Sequence, residues 1–115
     1  MAALTALFWM LVAHAVADFP LQGEWLATAK NQTLNRIPGQ TIWPGALAMH
    51  SLIHAAGVQL ATGSYLLAAA EFVVHAGIDY VKCAGRISYN QDQLAHVACK
   101  VVWAAALMLM PSMSS

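Results

Sequence analysis

Four pairs of residues in this chain carry side chains that bind metals and move protons, and all four share one spacing. They are His14 with Asp18 in AHAVADFP, His50 with His54 in HSLIH, His75 with Asp79 in HAGID, and Asp92 with His96 in DQLAH. All 5 histidines and three of the 5 acidic residues belong to these pairs. On a helix, an i, i+4 spacing puts both side chains on one face, one turn apart. With this many His and Asp residues, a given histidine would find such a neighbour by chance in roughly one case in seven, so the complete set is a pattern.

Imidazole nitrogen and carboxylate oxygen are ligands for zinc, iron or manganese, and His/Asp couples also transfer protons. Eight donors exceed what one tetrahedral zinc uses. They suit two ions, or one ion whose histidines are oriented by outer carboxylates. The expected metal donors are therefore His14, Asp18, His50, His54, His75, Asp79, Asp92 and His96. They would hold one or two divalent ions, zinc foremost, with iron or manganese as alternatives. Asp18 or Asp79 is the expected catalytic base towards a metal-bound water. The charge of the ion would offset the cost of burying the aspartates.

The elements that must position these pairs are apolar. The 115 residues are 60% hydrophobic and 9% charged, with a formal net charge of +0 and mean hydropathy +0.60. Soluble domains carry roughly a quarter charged residues. A single domain spanning 1–115 is too small to bury that much apolar surface in its own core. Four apolar stretches, Ala2 to Phe19, Ile42 to Thr62, Tyr65 to Val81 and Leu94 to Met110, each approach the roughly 20 residues that cross a bilayer as a helix. They predict an all-α integral membrane four-helix bundle. The stretch before Leu4 has no Lys or Arg, which argues against a cleaved signal peptide.

Lys30 and Arg36 lie between the first two stretches, and Lys82 and Arg86 between the last two. Four crossings put both basic loops on one side, which the positive-inside rule makes cytoplasmic, with both termini outward. Lys100, inside the fourth stretch, is expected to snorkel towards the interface. The long first loop is expected to lay a short amphipathic turn or helix, with Leu21, Trp25 and Leu26, on the headgroup layer. Pro44 suits a first helical turn, and Gly63 with Ser64 a tight outer turn. His50 lies six residues past Pro44, about 9 Å along a helix, so all four pairs fall within roughly 10 Å of depth and can converge. Glu71, one turn before His75, is expected to be protonated or hydrogen-bonded, and Gln59 to bond between helices.

HAVADFPLQGEW, HSLIHA, HAGIDYVK and DQLAHV together resemble the small integral membrane proteins of bacteria and phages grouped as domain of unknown function 3307. The likeness runs from about His14 to His96 and implies a four-helix membrane protein. Gln22, Lys82 and Gln93 match family motif positions and are candidates to orient ligands or to contact an anionic headgroup or phosphate. A looser likeness to membrane-bound predicted metal-dependent hydrolases points towards hydrolysis.

Three functions from different classes follow. The first is a metal-dependent hydrolase acting on a phosphoester or lipid at the cytoplasmic membrane interface. The second is a non-enzymatic metal- or proton-binding membrane protein, and the third a phage pore-former or scaffold. The expected partners are the bilayer and further copies of the chain, and small residues such as LAAA suit close helix packing. No basic nucleic-acid stripe, P-loop or GxSxG motif is present, so no nucleic-acid partner is expected. Cys83 and Cys99 suggest neither a disulfide framework nor a metal knuckle.

Overall fold

The structure, a computed structural model, describes residues 2–110; the uncharged tail beyond Met110 lies outside the described residues. It contains five helices: α1 (Ala2–Asp18), α2 (Gly23–Ala29), α3 (Trp43–Thr62), α4 (Tyr65–Cys83) and α5 (Tyr89–Leu109). Among the described residues there is no strand.

Local chemistry sets the ends. Pro20 lacks the N–H that would continue α1, and the chain turns by 88° into α2. Pro44 occupies the first turn of α3. At its other end Gly63 takes the left-handed conformation at φ 75° and donates its N–H to the Gln59 carbonyl at 2.7 Å. Ser64 then caps α4 by accepting from the Leu67 N–H at 3.1 Å.

α5 begins five residues before the apolar stretch that announced it. Ser88 and Gln91 form a capping box, in which Ser88 Oγ accepts from the Gln91 N–H at 3.1 Å and the Ser88 N–H donates to Gln91 Oε1 at 2.9 Å. The first turn is polar, so hydropathy does not see it. Its consequence is that Asp92 sits in the first turn of a helix rather than in a loop.

α3 and α4 form a hairpin, α1 packs on α3 and α5, and α4 also packs on α5, closing a ring of four long helices. α2 lies against α3. A Cβ added at Gly57 would stand 2.8 Å from Ala13 Cβ, so glycine is what lets α1 and α3 approach this closely. Ala6, Met10, Val58, Leu67, Ala104 and Leu107 fill one end of the ring with apolar side chains. The other end is polar.

The outside of the ring is apolar: Leu4, Phe8, Trp9, Leu60, Val73, Leu94, Met108 and Leu109 are all more than half exposed. Among the described residues, α5 is long and apolar enough to cross a membrane, and α1 with α2 passes the same test only as a pair joined at the 88° bend.

Candidate metal centre

Each long helix delivers one pair to the polar end: His14 and Asp18 from α1, His50 and His54 from α3, His75 and Asp79 from α4, Asp92 and His96 from α5. All eight side chains are buried or nearly so, the most accessible being Asp18 at 11%. The five rings form one contiguous group. His54 stacks on His75 at 3.8 Å between centroids and His75 on His96 at 4.2 Å, with His50 at 4.7 Å and His14 at 5.1 Å from His54. The convergence expected from helical spacing is present in full.

Hydrogen bonds fix part of this group. His54 Nε2 donates to Asp18 Oδ1 at 2.8 Å. Gln93 ties α5 to α1: its amide nitrogen donates to Asp18 Oδ2 at 3.0 Å and to its own helix neighbour Asp92 Oδ2 at 3.2 Å, and its oxygen accepts from His14 Nε2 at 3.0 Å. Gln22 donates to the Asp18 carbonyl at 3.2 Å. Lys82 lies over the Tyr89 ring at 5.9 Å.

The remaining donor atoms are unspent. Both ring nitrogens of His50 and of His96, Nδ1 of His14 and His54, Nε2 of His75 and Oδ1 of Asp92 are buried without a hydrogen-bond partner among the described residues. Buried polar atoms in native structures are normally paired, so a concentration of unpaired atoms on rings and carboxylates is an arrangement that could hold a cation or ordered water. His50 Nε2 stands 3.3 Å from Asp18 Oδ1 and His96 Nε2 3.2 Å from Asp92 Oδ1, close but outside hydrogen-bond geometry.

Two donor sets are well placed for an ion. Asp18, His50, His54 and His75 offer one atom each within 4.8 Å of one another, and so do Asp79, Asp92 and His96. Ligands around tetrahedral zinc lie about 3.4 Å apart for bond lengths near 2.05 Å, so small rotamer changes would close either set. Glu71, His75 and His96 form a third group; its carboxylate accepts from Lys100 and Trp103, as Asp79 does from Lys30 and Asp18 from His54 and Gln93. His14 belongs to none of these sets and bonds to Gln93 instead.

Three residues take roles that spacing alone did not reveal. Lys100 does not snorkel: it is 1% exposed and donates to Glu71 Oε1 at 3.0 Å. Trp103 Nε1 donates to the same oxygen at 2.9 Å, while His75 Nδ1 donates to Glu71 Oε2 at 3.2 Å. Glu71 thus holds the His75 ring with Nε2 turned towards the centre, the arrangement by which an outer carboxylate fixes a ligating tautomer. A signal was present, since Lys100 lies one turn beyond His96 on the inward face. Lys30 gave none. It is 4% exposed and donates to Asp79 Oδ2 at 2.6 Å, so it serves the centre rather than the basic loop. Gln59 makes no side-chain hydrogen bond among the described residues. Cys83 and Cys99 are free thiols.

A cavity of about 210 Å³ opens beside the carboxylates, with Asp18, Asp79 and Asp92 on its wall together with Lys30, Lys82 and Gln93. Exposed Phe19 and Tyr89 stand at its rim.

Fold and site together define a class: an all-helical protein with an apolar exterior and a buried His/Asp centre to which four helices contribute equally. Residues 6–115 match the family described as Protein of unknown function (DUF3307), and the chain belongs to that family. It is also similar to the 3-hydroxyacyl-(acyl-carrier-protein) dehydratase FabZ of Haemophilus influenzae, 37% identical over 75 residues that cover 60% of this chain and 49% of that protein. The chain thus spans about half the length of the curated relative it matches. No solved structure matches it.

Proposed function

We propose that this chain is a membrane-embedded metal protein whose polar end binds one or two divalent ions, zinc foremost, and uses them to hydrolyse a phosphoester or lipid ester at the cytoplasmic membrane interface. The observation that carries the reading is the set of buried, unpaired ring nitrogens on His50, His54, His75 and His96 facing carboxylates from three other positions. Membrane placement is supported by the apolar outer surface of the ring, where side chains such as Leu60, at 83% exposure, would be solvated by lipid. Arg36, Lys82 and Arg86 near the polar end support a cytoplasmic orientation for that end.

Hydrolysis is supported by the cavity that reaches Asp18, Asp79 and Asp92, since a reactive centre needs a route for substrate. A divalent ion lowers the pKa of the water it binds. Asp18 or Asp79 would take a proton from that water as its oxygen attacks the ester, the ester bond to the leaving oxygen breaks, and the leaving oxygen receives the proton. A second reading, a proton-binding or structural cluster without metal, is favoured by the 2.6 Å ion pair that Lys30 already makes with Asp79.

Elemental mass spectrometry on detergent-purified protein, wild type beside His50→Ala/His54→Ala, separates the two. Stoichiometric zinc, iron or manganese in wild type, lost in the variant, is the expected result and leads to a screen of phosphoesters and lipids. A folded wild type that stays metal-free after chelator-free purification and reloading overturns the metal reading and leaves the second.

A further inference from the structure

The cavity beside the carboxylates is charge-mixed in a way that makes its ligand depend on the ion. Three carboxylates, Asp18, Asp79 and Asp92, face two ammonium groups, Lys30 and Lys82, leaving one net negative charge on its wall. One divalent ion turns that into one positive charge, and two ions make it three. An anion is therefore repelled from the bare protein and attracted to the loaded one, in a partly dry site where such differences are large.

The uncommitted groups fit a phosphate. Lys82 makes no ion pair among the described residues and rests only over the Tyr89 ring, so its ammonium is free to meet an oxyanion. Lys30, by contrast, is held by Asp79. Gln22 Oε1, also on the wall, is a buried acceptor with no donor, suited to a hydroxyl or water beside the phosphate. At about 210 Å³ and open on one side, the cavity has space for a phosphate group.

Resting on the metal reading, we propose that this cavity is a phosphate site that forms only on the metal-loaded protein, with Lys82 as its anchoring cation. Metal binds first and phosphate second. By linkage, bound phosphate tightens the ion. A phosphomonoester lipid headgroup and a free phosphate share this chemistry.

The test is isothermal titration of inorganic phosphate into the full chain in phosphatidylcholine nanodiscs, after metal loading and removal of excess ion, with metal content measured on the same sample. Loaded wild type is expected to bind phosphate, chelator-stripped protein not to, and Lys82→Gln to bind about tenfold more weakly at unchanged metal content, with Lys82→Arg retaining most of the affinity. Repeating the titration in nanodiscs containing phosphatidic acid distinguishes the sources. Lost phosphate binding there identifies the headgroup as occupant, and unchanged binding identifies free phosphate; both uphold the site. Loaded protein that takes up no phosphate in plain nanodiscs, stripped protein that binds it equally, or a Lys82→Gln variant indistinguishable from wild type overturns the inference while leaving the metal reading intact. Protein that carries no metal overturns both.

Discussion

Lys100→Met isolates the contribution of the buried pair between α4 and α5. Lys100 and Glu71 are each 1% exposed, and their charged atoms are 3.0 Å apart. Methionine keeps most of the apolar stem and removes the ammonium, so little cavity is created. The loss then falls on Glu71, left with Trp103 and His75 as donors but no full countercharge. Removing one partner of a buried pair costs about 3–5 kcal/mol, whereas replacing both by neutral groups of similar volume is close to neutral. Lys100→Met is expected to lose about 3 kcal/mol or more in folding stability, and Glu71→Gln/Lys100→Met to regain most of it, a coupling of about 2–3 kcal/mol across the double-mutant cycle. Reversible unfolding in mixed micelles, followed by circular dichroism, gives all four corners. The same double variant should retain metal about 10–100-fold more weakly, because a neutral amide no longer holds the His75 tautomer as firmly. Lys100→Met within about 0.5 kcal/mol of wild type, the scatter of surface substitutions, would refute the pair as a structural element.

Lys30→Met is expected to strengthen metal binding, read by competition with a chromogenic chelator, because it frees Asp79 from a tethered competitor; weaker binding would show that Lys30 assists the ion. Gln93→Leu removes the side chain that joins Asp18, Asp92 and His14, and should cost about 1–3 kcal/mol in stability through the polar atoms it strands. Gly57→Val drives a side chain into Ala13, so α1 should shift away from α3 and metal retention should fall even though neither residue is a donor; unchanged metal content would show that the centre tolerates the displacement. Chelation of loaded protein should lower its stability by about 2.7 kcal/mol from conditions where free ion stood at 100 times its dissociation constant, measured by thermal unfolding. Acid should release the ion, since protons compete with it for the same ring nitrogens; retention that does not change with pH would exclude histidine ligation.

The centre was legible because the information was local. An i, i+4 pair declares its own face, and once each of four helices is known to carry such a pair, their convergence needs only comparable depth. Caps were legible for the same reason at Pro44 and Gly63. The early start of α5 is missed by the apolar stretch from Leu94, because hydropathy hides a polar first turn held by the Ser88 to Gln91 box. The partners of Glu71 and Asp79 were not. Lys30 is 49 positions from Asp79 and Lys100 is 29 from Glu71, and nothing in a sequence records which distant cation enters which carboxylate's shell. Lys30 also shows how a charge count misleads, because a cation that the sequence places in a loop spends its charge internally on Asp79.

The apolar end of the ring sets the sidedness of everything the polar end does. Ala6, Met10, Val58, Leu67, Ala104 and Leu107 stand between the histidines and the far mouth, so the centre is a cul-de-sac. In the proposed bilayer setting, an ion, a proton or a reaction product leaves by the face through which it arrived, and no gradient is dissipated across the helices. In sealed vesicles of uniform orientation, a membrane-impermeant chelator would strip the ion from one side only. Under the proposed function, that asymmetry suits an enzyme or sensor working on a single leaflet rather than a protein that conducts.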